Sequence, residues 1–235
     1  AFQALFANPL AAPDTLGVAT GASFGAVLGI LWGWNGMGIQ LMSLATGLSA
    51  VFFVIVISRV RNTSSILMII LSGMVVGALF SALVSLVKYA ADPQDVLPSI
   101  TFWMMGALTG ATKSSVLAGT PMVLLGMLVL WLLRWRLNVT TLPTDEAASL
   151  GIPVRRIRAG VIIAATMITA SVVSMCGLIG WVGLLIPHAA RMIFGNDNRS
   201  VVPASMALGA LFMLAIDTAA RSITASEIPA SILTA

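Results

Sequence analysis

Long apolar stretches separate short clusters of charged residues along this chain. No ionised side chain occurs within 15–58, 62–87, 114–133, 159–190 or 200–216. A helix that crosses a bilayer needs about 20 mostly apolar residues, so the first stretch is long enough for two. The pattern predicts long helices at 16–34, 39–58, 66–88, 114–133, 159–178 and 201–221, and a shorter helix at 187–194 whose first turn holds Pro187.

Glycine positions refine this pattern at two places. The first predicted helix carries five glycines at four-residue spacing: Gly17, Gly21, Gly25, Gly29 and Gly33. Such spacing places them on one helix face, which predicts the close approach of another helix, with a pore-lining face as the alternative. Three glycines within 177–183 predict a break in the long apolar stretch.

Composition decides the class of protein. Of the 235 residues, 59% are hydrophobic and 9% are charged, whereas a soluble domain carries about 25% charged residues. This excludes a soluble globular enzyme, a disordered tail and a secreted disulfide scaffold, and predicts an all-α, multi-pass membrane protein. Cys176 is the one cysteine, so no internal disulfide is possible, and we interpret it as a small buried apolar residue.

The basic residues predict the orientation. If successive spans run antiparallel, Lys88, Lys113 and Arg221 lie on one side and the other nine of the 12 basic residues on the opposite side. The excess of arginine places that opposite side in the cytoplasm. Because these cations are scattered between the spans, we interpret them as counter-charges to the lipid headgroups and not as a binding patch for nucleic acid.

The segment 142–153 has its own helix signals. Thr144 is a suitable N-cap, Asp145 and Glu146 suit the positive end of a helix dipole, and Gly151 and Pro153 end the helix. We therefore expect a short helix in a cytoplasmic loop at 134–158. It is either a surface helix packed on the membrane face or a docking element for a cytoplasmic partner.

Few other polar residues lie in the spans. Asp217 and Arg221 are four residues apart near an outer helix end, where an intrahelical ion pair is expected and a proton-carrying carboxylate is the alternative. His188 lacks a second histidine or cysteine at ligand spacing, so we interpret it as a helix-start residue at the membrane face. Arg191 and Arg199 mark the cytoplasmic interface.

Several motifs together resemble the permeases of the iron-chelate and cobalamin import family. They are the run Asn8-Pro9-Leu10-Ala11 with Leu16-Gly17-Val18 and Gly21-Ala22, Trp103 with Gly106, the Leu150-Gly151 loop, the run 177–191 with Gly183, Pro187, His188 and Arg191, and Asp217 with Ala220-Arg221 followed by Glu227-Ile228-Pro229. The resemblance covers nearly the whole chain in the order and spacing of the family.

The resemblance implies the helix bundle of a type II ATP-binding-cassette (ABC) importer permease. The full subunit would have about ten helices related by inverted repeats, of which this chain would cover about seven to eight. We expect 1–235 to be a single transmembrane domain that lacks the first helix, most of the second and the last. The implied partners are a second copy of the chain, two cytoplasmic ATPase subunits and a periplasmic or lipid-anchored substrate-binding protein.

The resemblance also assigns roles to residues. Contact with the ATPase would lie in the cytoplasmic loop, at Thr144, Asp145, Glu146, Ala147, Ala148, Leu150 and Gly151. A short helix from Trp103 to Gly110, which includes Gly106, would gate the translocation path, although Trp103 also suits an interfacial anchor.

We expect a transport subunit of the prokaryotic cytoplasmic membrane, with no catalytic residues, cofactor or bound metal of its own. Its cargo would be a metal chelate, with iron-siderophore first and haem, cobalamin or molybdate as alternatives. ATP hydrolysis would belong to a separate chain, because no Gly-Lys pair of a phosphate-binding loop exists here. A proton-coupled secondary transporter that uses Asp217 and a polytopic membrane enzyme are the rival hypotheses.

Overall fold

The computed structural model describes residues 1–6, 8, 11–59, 66–141, 153–223 and 228–234. Nearly all of this part of the chain is helical, and it contains no β-strand. We number its helices α1 (Phe2–Leu5), α2 (Val18–Leu31), α3 (Gly36–Arg59), α4 (Ile66–Ala90), α5 (Val96–Met104), α6 (Lys113–Leu137), α7 (Val154–Cys176), α8 (Val182–Phe194), α9 (Asn198–Ser222) and α10 (Ala230–Thr234). The prediction of an all-α fold is confirmed.

Five of these helices, α3, α4, α6, α7 and α9, are long and apolar enough to cross a membrane. Their bounds agree with the predicted helices to within a few residues, as expected for helix ends. The first predicted helix is too long, however. Helix α2 has 14 residues and is therefore about 21 Å long. Gly17 before it and Gly33 after it have φ of 66° and 67°, outside the helical region.

Helix α2 lies at the centre of the bundle. It packs against α3, α4, α5 and α7, and Val18, Ala22, Ala26 and Val27 along it have no solvent exposure. A helix that is apolar all round is typical of such a central position. Helices α3, α4, α5 and α7 therefore assemble around α2.

Glycines allow the neighbouring helices to approach the α2 backbone. A Cβ atom at Gly21 would lie 2.8 Å from the Ala50 Cβ of α3, and one at Gly17 would lie 2.9 Å from the Gly77 amide nitrogen of α4. A Cβ atom at Gly25 would overlap the backbone and side chain of α3. The predicted close approach is confirmed at these positions. Gly33 has open space around it.

Helices α6 and α9 lie at the periphery. In their most apolar 18-residue windows, 17% and 11% of the residues are buried, against 56% in α7. Since these exposed surfaces are apolar, the lipid tails are their natural solvent.

Two short helices differ from the prediction. The expected helix from Trp103 to Gly110 is wrong, because the helix here, α5, begins at Val96 and ends at Met104, and residues 105–110 are not helical. Pro98 lies in the first turn of α5, where a missing N–H is tolerated. Gly106, two residues after the end of α5, has φ 65°, which is outside the helical region. The expected start of a helix at Pro187 is also wrong, because α8 begins at Val182 and contains Pro187.

Contacts between helix ends agree with an antiparallel order of the spans. The end of α6 meets the start of α9 where the Asn138 side chain accepts a hydrogen bond from the Asn198 backbone N–H at 3.0 Å. At the opposite end, the Ala107 N–H donates to the Cys176 carbonyl oxygen at 2.8 Å. The ends at Asn138 and at Ala107 therefore lie on opposite sides of the bundle.

The orientation can be tested by cysteine labelling in intact cells. In a Cys176→Ala background, we expect a membrane-impermeant maleimide to label Gln94→Cys and to spare Asn196→Cys, because arginine-rich ends remain in the cytoplasm. Both positions are exposed in the structure. Permeabilised cells, in which both variants should react, provide the control. Labelling of Asn196→Cys alone in intact cells would reverse the orientation.

Candidate functional site

Two glycines join α5 to the end of α7. Gly106 and Gly177 have φ of 65° and 73°, a backbone region that L side chains rarely adopt. A Cβ atom at Gly106 would lie 2.5 Å from the Leu178 carbonyl oxygen, and one at Gly177 would overlap the Trp103 carbonyl oxygen. The Gly106 carbonyl oxygen also accepts from the Ala230 N–H at 2.9 Å. Three chain segments therefore meet here through their backbones.

The Trp103 side chain lies inside this junction. It is half-buried and, together with Leu178, packs against Ala19 and Ala22 of α2 and Val173 of α7. By contrast, Trp32 at the end of α2 is 55% exposed. Trp103 thus contacts the central helix as well as the segment that follows α7.

The predicted break within 177–183 is confirmed. Helix α7 ends at Cys176, α8 begins at Val182, and the residues between them are not helical. Trp181 has φ 65°, which is unusual for a bulky residue. Its carbonyl oxygen accepts from the N–H groups of Leu184 and Leu185, at 2.9 and 2.8 Å, and so satisfies the first turn of α8. Strained backbone of this kind is frequent at functional sites.

A cavity of about 360 Å³ lies beside the break. Its walls come from α2, α7, α9, the break and the first turn of α8; the residues include Ala19, Thr169, Val173, Gly177, Trp181, Gly183 and Met213. None of the lining residues is ionisable, and the polar side-chain groups among them are the Thr169 hydroxyl and the Trp181 indole N–H. Irregular backbone at membrane depth is tolerated where it lines such a cavity. The arrangement can admit a bulky solute without binding it tightly.

A polar network joins α1, α8, α9 and the end of α6 at the other end of the bundle. The Arg191 guanidinium of α8 donates to the Gln3 side-chain oxygen at 3.4 Å and to the Asn198 side-chain oxygen at 3.3 Å. The Asn198 amide donates to the Asn138 side-chain oxygen at 2.8 Å. Arg191, placed at the interface by sequence, therefore also connects α8 to α9 and, through Asn198, to the end of α6.

Asp197 completes this network as the N-cap of α9. Its carboxylate accepts from the Arg199 backbone N–H at 2.9 Å and from the Asn138 amide at 2.7 Å. These two hydrogen bonds hold the pKa of Asp197 below its usual value. Sequence reasoning missed Asn138 and Asn198, although Asp197 before a predicted helix is a recognisable capping signal.

The remaining sequence-predicted residues are dispersed. Asp217 and Arg221 form the expected ion pair, 2.9 Å long. His188 is exposed and lies in the middle of α8, so its interpretation as a helix-start residue is wrong. Asn8 is exposed, and its carbonyl oxygen accepts from the Ala11 N–H at 3.2 Å.

The expected ATPase-contact helix lies outside the described residues. The residues expected to contact the ATPase from this helix are Thr144, Asp145, Glu146, Ala147, Ala148, Leu150 and Gly151. Pro9 also lies outside them. The structure describes the flanks of the loop, namely the short turn Val139–Thr141 and the start of α7 at Val154.

Apolar spans surround a buried helix, and a broken helix lies beside an uncharged cavity. This is the architecture of a multi-pass transport permease. The chain belongs to the FecCD transport family, whose model matches residues 1–235. Membership confirms the resemblance to iron-chelate and cobalamin import permeases and makes the chain a permease of the ABC importer class in the cytoplasmic membrane.

Individual relatives agree with this assignment. The chain is 41% identical to the molybdate import system permease protein MolB of Haemophilus influenzae, with 99% of this chain and 69% of the relative covered. It is 34% identical to a probable iron chelatin transport system permease protein of Helicobacter pylori, with 99% and 70% covered. A solved structure, described as an inward-facing conformation of an ABC transporter of proposed metal-chelate type, matches with a TM-score of 0.94 and 40% identity over 99% of this chain and 74% of that one.

Proposed function

We propose that this chain is the membrane-spanning subunit of an ATP-driven importer for a metal chelate, with an iron-siderophore complex as the leading cargo. The observation that carries the proposal is the match in fold, at a TM-score of 0.94, to a metal-chelate type transporter. The cavity beside the helix break is part of the translocation path, and the path alternates between outward and inward access.

The chemistry of the cavity favours a chelate over a small oxyanion. A bare oxyanion such as molybdate would need cationic or N–H donors to replace its hydration. No cationic side chain lines the cavity, whose side-chain donors are the Thr169 hydroxyl and the Trp181 indole N–H. A bulky chelate that buries its metal within an organic shell suits apolar walls, and haem and cobalamin share this property. The name of the molybdate permease relative, at 41% identity, keeps molybdate as the second candidate.

The proposed assembly contains two copies of this chain, two ATPase subunits and a substrate-binding protein. A permease without a phosphate-binding loop must receive work from a separate ATPase. The polar network around Arg191 and Asn138 supports a route for that work. Asn138 lies near the start of the proposed cytoplasmic loop 134–158, and Arg191 belongs to α8, whose first turn lines the cavity. Asp217 is held in an ion pair, which supports its structural role over proton transport.

The coupling role of the cytoplasmic loop is tested by Ala148→Arg. The variant should insert normally, because the loop lies outside the bilayer, but should bind the ATPase at least about ten-fold more weakly, equivalent to about 1.4 kcal/mol, because it places an unpaired charge in the contact. Co-purification of the ATPase and transport-coupled ATP turnover are the measurements. Ala148→Ser, which retains a small side chain, is the matched control. Parental values for Ala148→Arg would make 144–150 a passive surface helix.

The gate proposal concerns Trp103, which packs on the central helix beside the break. Trp103→Ala should lower transport per assembled complex about ten-fold or uncouple it from ATP hydrolysis, because it removes the aromatic contact that joins α5 to α2 and α7. Reconstituted transport and ATPase assays measure this, with Trp103→Phe expected to retain most of the activity. Trp32→Ala removes an exposed tryptophan and serves as the control for interfacial anchoring. Reduced yield with unchanged transport per complex would assign Trp103 to an anchoring role.

A further inference from the structure

Two arginines stack on two tryptophans at the end of α6 that carries Asn138. The Arg134 guanidinium carbon lies 3.9 Å from the centre of the Trp131 ring, and the Arg199 guanidinium carbon lies 3.7 Å from the centre of the Trp135 ring. Trp131 and Trp135 are four residues apart, so they share one face of α6. Arg199 comes from α9, and its stacking connects the two helices. Both cations are thus held on the same helix face.

The stacked cations retain donors for an anion. Arg134 donates one N–H to the Trp131 carbonyl oxygen at 3.0 Å. Within the described parts of the chain, neither guanidinium has a carboxylate within 4 Å, and the ion pair found there is that of Arg221 with Asp217. A guanidinium stacked by its face keeps the N–H groups of its edge free, in the fork geometry that fits phosphate oxygens.

Within the part of the chain that the structure describes, one acidic residue, Asp197, lies near these arginines, and it is already engaged. The Asp197 carboxylate caps α9 through the Arg199 backbone N–H and accepts from the Asn138 amide. Two stacked cations therefore lie near one carboxylate, and the net charge of the described residues here remains positive.

The surface that continues along α6 from the tryptophans is apolar and exposed. Leu124, Leu128 and Leu132 are 60%, 51% and 60% exposed, and they follow the same helix face toward the bilayer centre. An occupant that combines an anionic head with hydrocarbon tails would match both the cations and this surface, whereas a soluble anion would leave the leucines without a partner.

We propose that Trp131, Arg134, Trp135 and Arg199 form a binding site for the headgroup of an acidic phospholipid between the adjacent ends of α6 and α9. The phosphate accepts from both guanidinium groups, the tryptophan rings hold these groups in place, and the acyl chains lie along the leucines of α6. Because Arg199 lies two residues after Asp197, the cap of α9, a bound lipid also fixes α6 against α9 next to the Asn138 network.

The test uses the whole chain in detergent micelles, with phosphatidylglycerol added and counted by native mass spectrometry. The double variant Arg134→Gln, Arg199→Gln should bind phosphatidylglycerol about ten-fold more weakly or worse, because both charge-assisted contacts are removed. The matched control Lys113→Gln, Arg136→Gln loses the same charge away from the tryptophans and should change binding by about two-fold at most. Trp135→Leu should also weaken binding, because Arg199 loses its stacking partner. Unchanged helical circular dichroism shows that the variants fold.

Three outcomes would overturn the proposal. Equal weakening in the double variant and in the control would mean that the lipid responds to overall charge and not to a site. Unchanged binding in the double variant would remove the arginines from the contact. Displacement of the lipid by millimolar inorganic phosphate, with similar affinity for both, would assign the site to a free anion.

Discussion

The bundle depends on the close approach of backbones at glycines around α2. Gly17, Gly21 and Gly25 let α3 and α4 come so near that a Cβ atom at any of them would collide with the neighbouring helix. Membrane helices lack a strong hydrophobic drive toward one another, so such close packing supplies much of their association. Because α2 packs against α3, α4, α5 and α7, these close contacts help to set the positions of the helices around it.

The same constraint shapes the region beside the cavity. Gly106 and Gly177 bring α5 against the end of α7, and a side chain at either would collide with backbone atoms of the other segment. Helix α7 stops there, and the chain resumes as α8 only at Val182. The break leaves a cavity with apolar walls at the point where four helices converge. A path that must let a large solute pass needs such weakly binding walls.

Periodic features were predictable from the sequence, and features that depend on contact between distant segments were not. Charge-free stretches predicted the five long spans, and four-residue spacing predicted both the glycine face and the Asp217–Arg221 pair. The predicted start of α8 was wrong. Proline is common in the first turn of helices, but Pro187 lies inside α8, five residues after its start at Val182. The Asn138–Asn198 contact joins residues 60 positions apart, and no local pattern indicates such a pairing.

The central claim is that the cavity beside the break belongs to a water-accessible solute path. The test uses a Cys176→Ala background reconstituted in liposomes. Met213 lies in the cavity wall, whereas Leu211, two residues earlier on α9, is 64% exposed and does not line the cavity. Because Leu211 lies on an apolar span, we expect lipid to cover it. A small, charged thiosulfonate reagent reacts only with thiols that water reaches. The account predicts modification of Met213→Cys and protection of Leu211→Cys. Protection of both, or modification of Leu211→Cys alone, would contradict it.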